Sequence, residues 1–309
     1  MSSARIAFIV NPSSANGSTG KAWGRIRERA RERLGPFEYH LTEAPGDAIR
    51  LAREAVRGGV EILVCVGGDG TLNEMVNGIM GAGGGQGVRL GAIPRGTGCD
   101  FSRSAAIPTD LDGALELLAQ GDARSLDVGR FTFHDHQGGT SERYFLNILS
   151  FGLGGEVVER VNRTTKFFGG FLSFIWATLI SIVLYEKKRI RILVDEDFDR
   201  EVLCWNVAVA NGRYHGGGMH VAPDARLDDG LFQVTIVGDL SLPGVFRRLP
   251  YLYNGRIYEI PEVTALAGRR IEAASDREVL LDVDGEQPGR LPLIVEVVPR
   301  ALRFIRPGP

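Results

Sequence analysis

The stretch Val64-Cys65-Val66-Gly67-Gly68-Asp69-Gly70-Thr71-Leu72-Asn73-Glu74 runs from apolar residues through a glycine-rich turn into helix-forming residues. A short apolar run ended by turn residues suits a strand buried on both faces, as in a parallel sheet. Glycines at 67, 68 and 70 let backbone N–H groups approach a phosphate, and the amino end of the following helix favours negative charge. Asp69 is suited to hold magnesium or orient a transferred phosphate, because phosphoryl transfer depends mainly on positioning and charge neutralisation. A plainer reading also exists. Thr71-x-x-Glu74 fits a capping box, and Gly-Asp-Gly fits an ordinary turn. Three glycines and an aspartate in so short a span exceed what a cap requires, so phosphate binding is preferred.

Outward from this turn, apolar runs at 5–10 and 88–93 also have strand length. They end in Asn11-Pro12-Ser13-Ser14-Ala15-Asn16-Gly17 and in Pro94-Arg95-Gly96-Thr97-Gly98-Cys99-Asp100-Phe101. Three glycine- and hydroxyl-rich loops after three strands converge on one edge of a parallel sheet, where α/β folds bind ligands. A helix starting near Ser18 would place Trp23, Ile26, Ala30 and Leu34 on one face. Further helices are expected at about 46–57, 71–80 and 110–120. Gly17-Ser18-Thr19-Gly20-Lys21-Ala22 hints at a P-loop, but Ala15 and Ala22 stand where glycine and Ser/Thr belong, which argues against a Walker-type NTPase. Residues 1–125 therefore read as an α/β nucleotide-binding domain with a parallel sheet.

Beyond about 125 the texture changes. Strand-like runs follow at 126–133, 143–150, 189–194, 202–210, 231–237, 279–284 and 292–298, with Asp-Gly or Gly-rich turns between several of them. They describe a second domain, 126–309, mainly antiparallel and β-sandwich-like, with a helical stretch inserted at 153–186. The last residues are expected to return to the first domain. Within the insertion, 167–185 carries no charge and precedes Lys187-Lys188-Arg189. Ser173, Thr178, Ser181 and the opening glycines make a buried or bilayer-touching helix a better reading than a membrane span.

The chain has a formal net charge of -2 and no dominant basic block, which argues against nucleic acid as a partner. Cys65, Cys99 and Cys204 are scattered and odd in number, which points to a reducing compartment. The run at 5–10 is too short for a signal-peptide core, so a cytoplasmic location is expected. His134-Asp135-His136 reads as part of a solvated loop rather than a metal site.

Taken in order, these motifs resemble the diacylglycerol kinase catalytic family, in the bacterial lipid kinase branch related to sphingosine kinases. The resemblance spans nearly the whole chain. It includes Asn11-Pro12-x-Ser14, Gly67 to Glu74 with Asn77-Gly78, and Pro94 to Phe101. It continues through Leu126-Asp127-Val128-Gly129, Asn147-x-x-Ser150-x-Gly152, Asn211-x4-Gly216-Gly217-Gly218, Ala222-Pro223-x-Ala225-x3-Asp229-Gly230-Leu231 and Asp284-Gly285-Glu286.

The resemblance implies an ATP-dependent lipid kinase that uses Mg2+ and phosphorylates a hydroxyl of a lipid acceptor such as diacylglycerol, in phospholipid metabolism. Nucleotide contacts would come from Asn11, Pro12, Ser13, Ser14, Ala15, Thr42, Gly67, Gly68, Asp69, Gly70, Thr71, Leu72, Asn73 and Thr97. Asp229 would supply the carboxylate of a structural magnesium site, with backbone carbonyls of Arg226 and Leu231 and a water link to Asp127. The catalytic base would lie in Asp284-Gly285-Glu286, with Glu286 and Asp284 both open as the proton acceptor. From the residues alone, both Asp228-Asp229-Gly230 and Asp284-Gly285 read as turns. The acceptor would enter a cleft between the domains. Transient contact with the inner membrane face is expected, and a homodimer is compatible with the sequence.

One position departs from the family: Cys99 stands where Asn is common, and a thiol is a weak hydrogen-bonding group beside an amide. An NAD kinase shares the Gly-Gly-Asp-Gly-Thr turn, and a non-catalytic nucleotide- or lipid-sensing module is the reading from another class.

Overall fold

Hydrogen-bond register sets the apolar runs of the amino-terminal half side by side in a computed structural model that describes residues 4–164 and 171–308. The chain divides into two compact units, Met1–Val128 with Pro299–Pro309, and Gly129–Val298.

The first unit alternates β1 (Ile6–Val10), α1 (Ser18–Leu34), β2 (Glu38–Leu41), α2 (Asp47–Arg57), β3 (Ile62–Gly67), α3 (Asp69–Gly81), β4 (Arg89–Pro94), α4 (Asp100–Ser104) and α5 (Leu111–Gln120). Its strands lie in the order β2-β1-β3-β4, and every neighbouring pair is parallel. Helices must cover such a sheet, so β3 is buried along its whole length. Trp23, Ile26 and Ala30 form the buried face of α1, at the helical spacing read from the sequence. The Asn77-Gly78 motif has a packing cause. A Cβ on Gly78 would lie 2.3 Å from the carbonyl oxygen of Ile49, so only glycine lets α2 and α3 approach so closely.

β5 (Ala123–Asp135) leads from the first unit into the second. There follow β6 (Thr140–Phe145), β7 (Ile148–Gly152), α6 (Leu153–Thr164), α7 (Phe171–Leu184), β8 (Lys188–Val194), β9 (Phe198–Cys204), β10 (Asn206–Ala210), β11 (Tyr214–His215) and β12 (Met219–His220). The remainder is β13 (Phe232–Val237), α8 (Leu242–Tyr253), β14 (Val263–Gly268), β15 (Arg270–Ala274), β16 (Leu281–Val283) and β17 (Gly289–Ile305). One antiparallel layer has the order β14-β13-β10-β7-β16. The other joins β17, β15, β8 and β9, and also contains the β5–β6 hairpin. Phe131, Phe145, Ile190, Ile271 and Leu293 from one layer meet Phe151, Val207, Phe232 and Ile236 from the other in a single core. The fold class is thus an α/β unit with a parallel sheet, and an antiparallel sandwich carrying a helical insertion. Residues 167–170 of the uncharged stretch lie outside the described residues, and no described helix is long and apolar enough to cross a membrane.

Two strands and one long helix are not marked by sequence pattern. β14 and β15 are rich in alanine, a weak strand former, and gain their pairing from neighbours. α8 contains Pro243, Gly244 and Pro250, which read as breakers. It forms because Ser241 caps Gly244 N–H and the first proline occupies the opening turn, where no donor is needed.

The end of β17 returns to the first unit, where Arg303 and Phe304 pair in parallel with Arg89 and Leu90. Fully buried Asp127 accepts the N–H of Arg300 at 2.6 Å, and Phe304 meets Phe101 edge-on at 5.1 Å.

Candidate functional site

In the first unit, Val10 lies opposite Leu41 and Val66, while Gly67 lies opposite Pro94. The strands therefore end level, and their loops leave from one edge. Three backbone bonds extend the ladder into those loops: Asn11 N–H to Val66 O at 2.9 Å, Thr42 N–H to Val10 O at 2.9 Å, and Arg95 N–H to Gly67 O at 2.7 Å. The expected nucleotide contacts, Asn11 to Ala15, Thr42, Gly67 to Asn73 and Thr97, are thereby gathered at one sheet edge. Thr97 is exposed, Thr42 is half-buried, and Ser14 Oγ donates to Asn11 O at 2.9 Å. The side chains of Leu72 and Asn73 are buried, which leaves mainly their backbone to face a ligand.

The capping-box reading of Thr71 and Glu74 does not hold. α3 starts at Asp69, after an extended Gly68, and no side chain caps it. Thr71 Oγ1 accepts from Asn11 Nδ2 at 2.9 Å. Glu74 reaches instead to the start of α2, accepting from Gly46 N–H at 2.9 Å and Ala48 N–H at 3.1 Å. The amino end of α3 therefore carries no side-chain cap, and a helix start of this kind favours negative charge. The glycines around it are required by close approach. A Cβ on Gly96 would sit 2.7 Å from Gly68 Cα, and one on Gly67 would sit 2.8 Å from Thr71 Cβ.

Asp69 has a structural partner that the sequence did not reveal. Its carboxylate accepts the N–H groups of Asp100 at 2.9 Å and Phe101 at 3.2 Å, so it caps α4 from across the sheet edge. Cys99 precedes that helix in the left-handed region, at φ 50. Its sulfur accepts Gly96 N–H at 3.2 Å. Burial, with Asp69 nearby, raises the Cys99 thiol above its usual 9.0, so it is neutral at physiological pH.

In the second unit, Asp284 and Gly285 have φ of 50 and 89, and Val283 and Glu286 exchange two backbone bonds at 2.8 and 2.9 Å. This is a two-residue hairpin turn of the Asp-Gly type. The two acidic residues differ sharply in environment. Asp284 is buried, and its carboxylate accepts the N–H groups of Leu146 at 2.9 Å, Asn147 at 3.2 Å and Ile148 at 2.8 Å. The Glu286 side chain is 40% exposed, with Arg143 at 3.8 Å. Asp284 organises the backbone, whereas Glu286 presents an accessible carboxylate.

Asp229 Oδ1 accepts the N–H of Leu231 at 3.0 Å, closing a turn in which Gly230 has φ 75. Among the described residues, no group of three or more His, Cys, Asp or Glu gathers here or elsewhere to hold a metal. The donors expected from Asp229, Arg226 and Leu231 are one carboxylate and two carbonyls, hard oxygens of the kind magnesium accepts with water filling the rest. Among the histidines, His136 Nε2 lies 3.1 Å from Gln287 O, a loop contact.

The second unit also contains an apolar pocket, open to solvent, of about 170 Å³, walled by α6, α7, α8 and strands of the β7–β10–β13 layer. At its polar end, His215 Nε2 lies 2.8 Å from Asp282 Oδ2, and the buried Ser150 hydroxyl has no protein partner. Ser150 is visible in the sequence only as part of a weak motif. Asp282 and His215 carry no pattern that would distinguish them.

Comparison with known proteins accords with this architecture. Residues 5–131 match the diacylglycerol kinase catalytic domain, and residues 147–306 match the YegS C-terminal NAD kinase beta sandwich-like domain. The chain is 30% identical over 298 residues to a probable lipid kinase YegS-like from Citrobacter koseri, covering 96% of this chain and 94% of that one. It is 28% identical over 289 residues to a diacylglycerol kinase of Staphylococcus carnosus, covering 93% and 90%. A crystal structure from Bacillus anthracis str. Sterne shares the fold with a TM-score of 0.79 at 24% identity, covering 98% of this chain and 95% of that one. Yeast NADH kinase is more distant, with a TM-score of 0.54 at 13% identity, covering 98% and 83%. The chain belongs to the diacylglycerol kinase catalytic-domain family, among its YegS-like lipid kinases.

Proposed function

We propose that this kinase transfers the γ-phosphate of ATP to a hydroxyl of a lipid acceptor such as diacylglycerol. The observation that supports this most is the amino end of α3. It has no side-chain cap, lies at the carboxyl edge of the parallel sheet, and is flanked by glycines that bring two backbone segments, the turns after β3 and β4, together. The first unit would hold the nucleotide phosphates through those N–H groups and the loops at Asn11 to Ala15 and Thr97. Thr42 would face the nucleotide from the neighbouring strand end.

Glu286 is proposed as the base, with Asp284 fixing the turn that carries it. The acceptor hydroxyl would give its proton to Glu286 while its oxygen forms a bond to the γ-phosphorus. The bond from that phosphorus to the β–γ bridging oxygen would break, releasing ADP. Magnesium, when bound, supplies charge neutralisation, and Asp229 with the Arg226 and Leu231 carbonyls is the proposed structural site. The apolar cavity of the second unit suits a hydrocarbon chain of the acceptor.

Radiolabelled ATP with diacylglycerol, sphingoid and prenol acceptors in mixed micelles tests the reading. Label in one lipid, abolished by Glu286→Gln, is expected. The reading fails if no acceptor is labelled and Asp69→Ala leaves ATP binding unchanged. Formation of NADP from NAD would favour the NAD kinase alternative instead.

A further inference from the structure

Along the strands of the β13–β10–β7–β16 layer, successive side chains point to opposite faces. Leu149, Phe151, Val207, Val234, Leu281 and Val283 enter the sandwich core. The residues between them, Asp282, Ser150, Ala208 and Thr235, stand opposite one another across the four strands and line the apolar pocket. A row of short side chains thus forms the pocket floor, with Val157, Ile182 and Leu249 of α6, α7 and α8 among its apolar walls. Its volume of about 170 Å³ is below the roughly 300–1,000 Å³ of pockets that enclose a drug-sized ligand, which leaves room for one hydrocarbon chain.

The floor has one polar corner. Thr235 Oγ1 donates to Val221 O at 2.9 Å, and Asn206 Oδ1 accepts Gly154 N–H at 2.9 Å. Asp282, whose side chain is buried, meets His215 Nε2 at 2.8 Å and accepts Gly285 N–H at 3.1 Å. An ionised carboxylate only accepts hydrogen bonds, so Nε2 carries a proton here. Ser150 differs from these groups: its hydroxyl is fully buried and has no protein partner. A buried hydroxyl without a partner destabilises a fold, which marks it as a group that serves a ligand. Gly154 holds open the space beside it. A Cβ there would stand 2.5 Å from Ser150 Oγ, 3.3 Å from Asn206 Oδ1 and 3.4 Å from Asp282 Oδ2.

These oxygens select what fits among them. The Asp282 and Asn206 oxygens accept, whereas the Ser150 hydroxyl both donates and accepts. An alcohol matches the corner, donating to Asp282 Oδ2 and accepting from the Ser150 O–H. Asp282 repels a phosphate or a carboxylate. A cation is not called for, because His215 and Gly285 already donate to that carboxylate. An alcohol held in this way has its proton committed to Asp282, so it is not the hydroxyl that reacts at Glu286.

We propose that Ser150 and Asp282 bind a second, non-reacting hydroxyl of the acceptor. The acceptor is then a single-chain lipid diol, of which a monoacylglycerol is the simplest. The subsite rests on the lipid-acceptor reading for its purpose. Through its bond to Gly285 N–H, Asp282 joins the subsite to the turn that carries Glu286.

The test is calorimetric titration of full-length protein, without nucleotide and below the micelle concentration of each ligand. One ligand is monooctanoylglycerol esterified at a terminal carbon. The other is the monooctanoyl ester of trimethylene glycol, which lacks only the middle hydroxyl. Wild type is expected to bind the glycerol ester about ten-fold more tightly, the effect of one well-bonded hydroxyl. Ser150→Ala should bring the two ligands to within about two-fold of each other. Its melting temperature should equal or exceed that of wild type, because an unpartnered buried group has been removed.

Equal binding of the two esters by wild type overturns the subsite and leaves the Ser150 hydroxyl to a buried water. A preference that survives in Ser150→Ala overturns it too, as does tighter binding of a short-chain sphingoid base than of monooctanoylglycerol. Transfer of label from ATP to monooctanoylglycerol is scored separately. A preference lost in Ser150→Ala, with no lipid labelled, upholds the subsite and refutes the kinase reading. Labelled lipid with equal binding of the two esters refutes the subsite alone.

Discussion

The Asp69 carboxylate, on the first residue of α3, accepts the backbone N–H of Asp100 at 2.9 Å. One side chain thus ties the phosphate-type turn after β3 to the loop after β4, and caps α4 through a second bond to Phe101 N–H. Asp69→Ala is expected to cost about 1–2 kcal/mol of stability, the magnitude of a lost helix cap. Because both loops border the proposed nucleotide site, ATP affinity should fall as well. Urea unfolding and equilibrium ATP binding measured on the same variant check this. Asp69→Asn keeps only one of the two acceptor oxygens that Asp100 and Phe101 use, so it should recover only part of the stability.

Asp284 and Glu286 should separate cleanly on substitution. Glu286→Gln is expected to leave the melting temperature nearly unchanged and to lower kcat by about 10²–10⁴-fold, the range for loss of a general base. Asp284→Ala leaves three backbone N–H groups without their acceptor in a buried turn. A stability loss of about 3 kcal/mol or more is expected there. Activity measured alongside thermal unfolding distinguishes the two effects.

Cys99→Asn should be neutral or stabilising, by up to about 1 kcal/mol, because asparagine visits the left-handed region more readily than most residues. Its side chain would also form stronger bonds than the thiol makes with Gly96. A modest gain in ATP affinity is the expected functional outcome. Calorimetry of wild type and variant with and without ATP measures both quantities.

Stability should decline in alkali. Burial raises the Cys204 thiol from 9.0 to about 12, and raises Cys65 further still. Below pH 9 these thiols are protonated in folded and unfolded chains alike, so they contribute no pH dependence. Above pH 9 the unfolded chain sheds protons that the folded chain retains, and unfolding gains about 1.4 kcal/mol per pH unit for each thiol. Denaturant unfolding at pH 8 and pH 10.5 should show the loss, and Cys65→Ala with Cys204→Ala should flatten it.

Local pattern was sufficient where a residue's neighbours in sequence decide its state. The β3 apolar run, the glycine-rich turn and the α1 face at Trp23, Ile26 and Ala30 were readable because burial on both faces and helical periodicity leave marks within a few residues. The Asp284-Gly285 turn was readable for the same reason, since both positions need positive φ. The alanine-rich β14 and β15 were not readable, because their pairing comes from distant strands.

The turn at Gly67 to Thr71 by itself determined a strand, a sharp bend and a helix start suited to an anion. Only the tertiary structure decided what surrounds that start. Thr71 is taken by Asn11, Glu74 by the start of α2, and Asp69 by α4, so the apparent capping box dissolves and the amino end of α3 is left without a side-chain cap. Tertiary packing likewise separated buried Asp284 from half-buried Glu286 and assembled Ser150, His215 and Asp282 around one cavity. The reason is physical: hydrogen-bond partners and solvent exposure depend on residues 26 to 138 positions apart in these examples, beyond the reach of any local pattern.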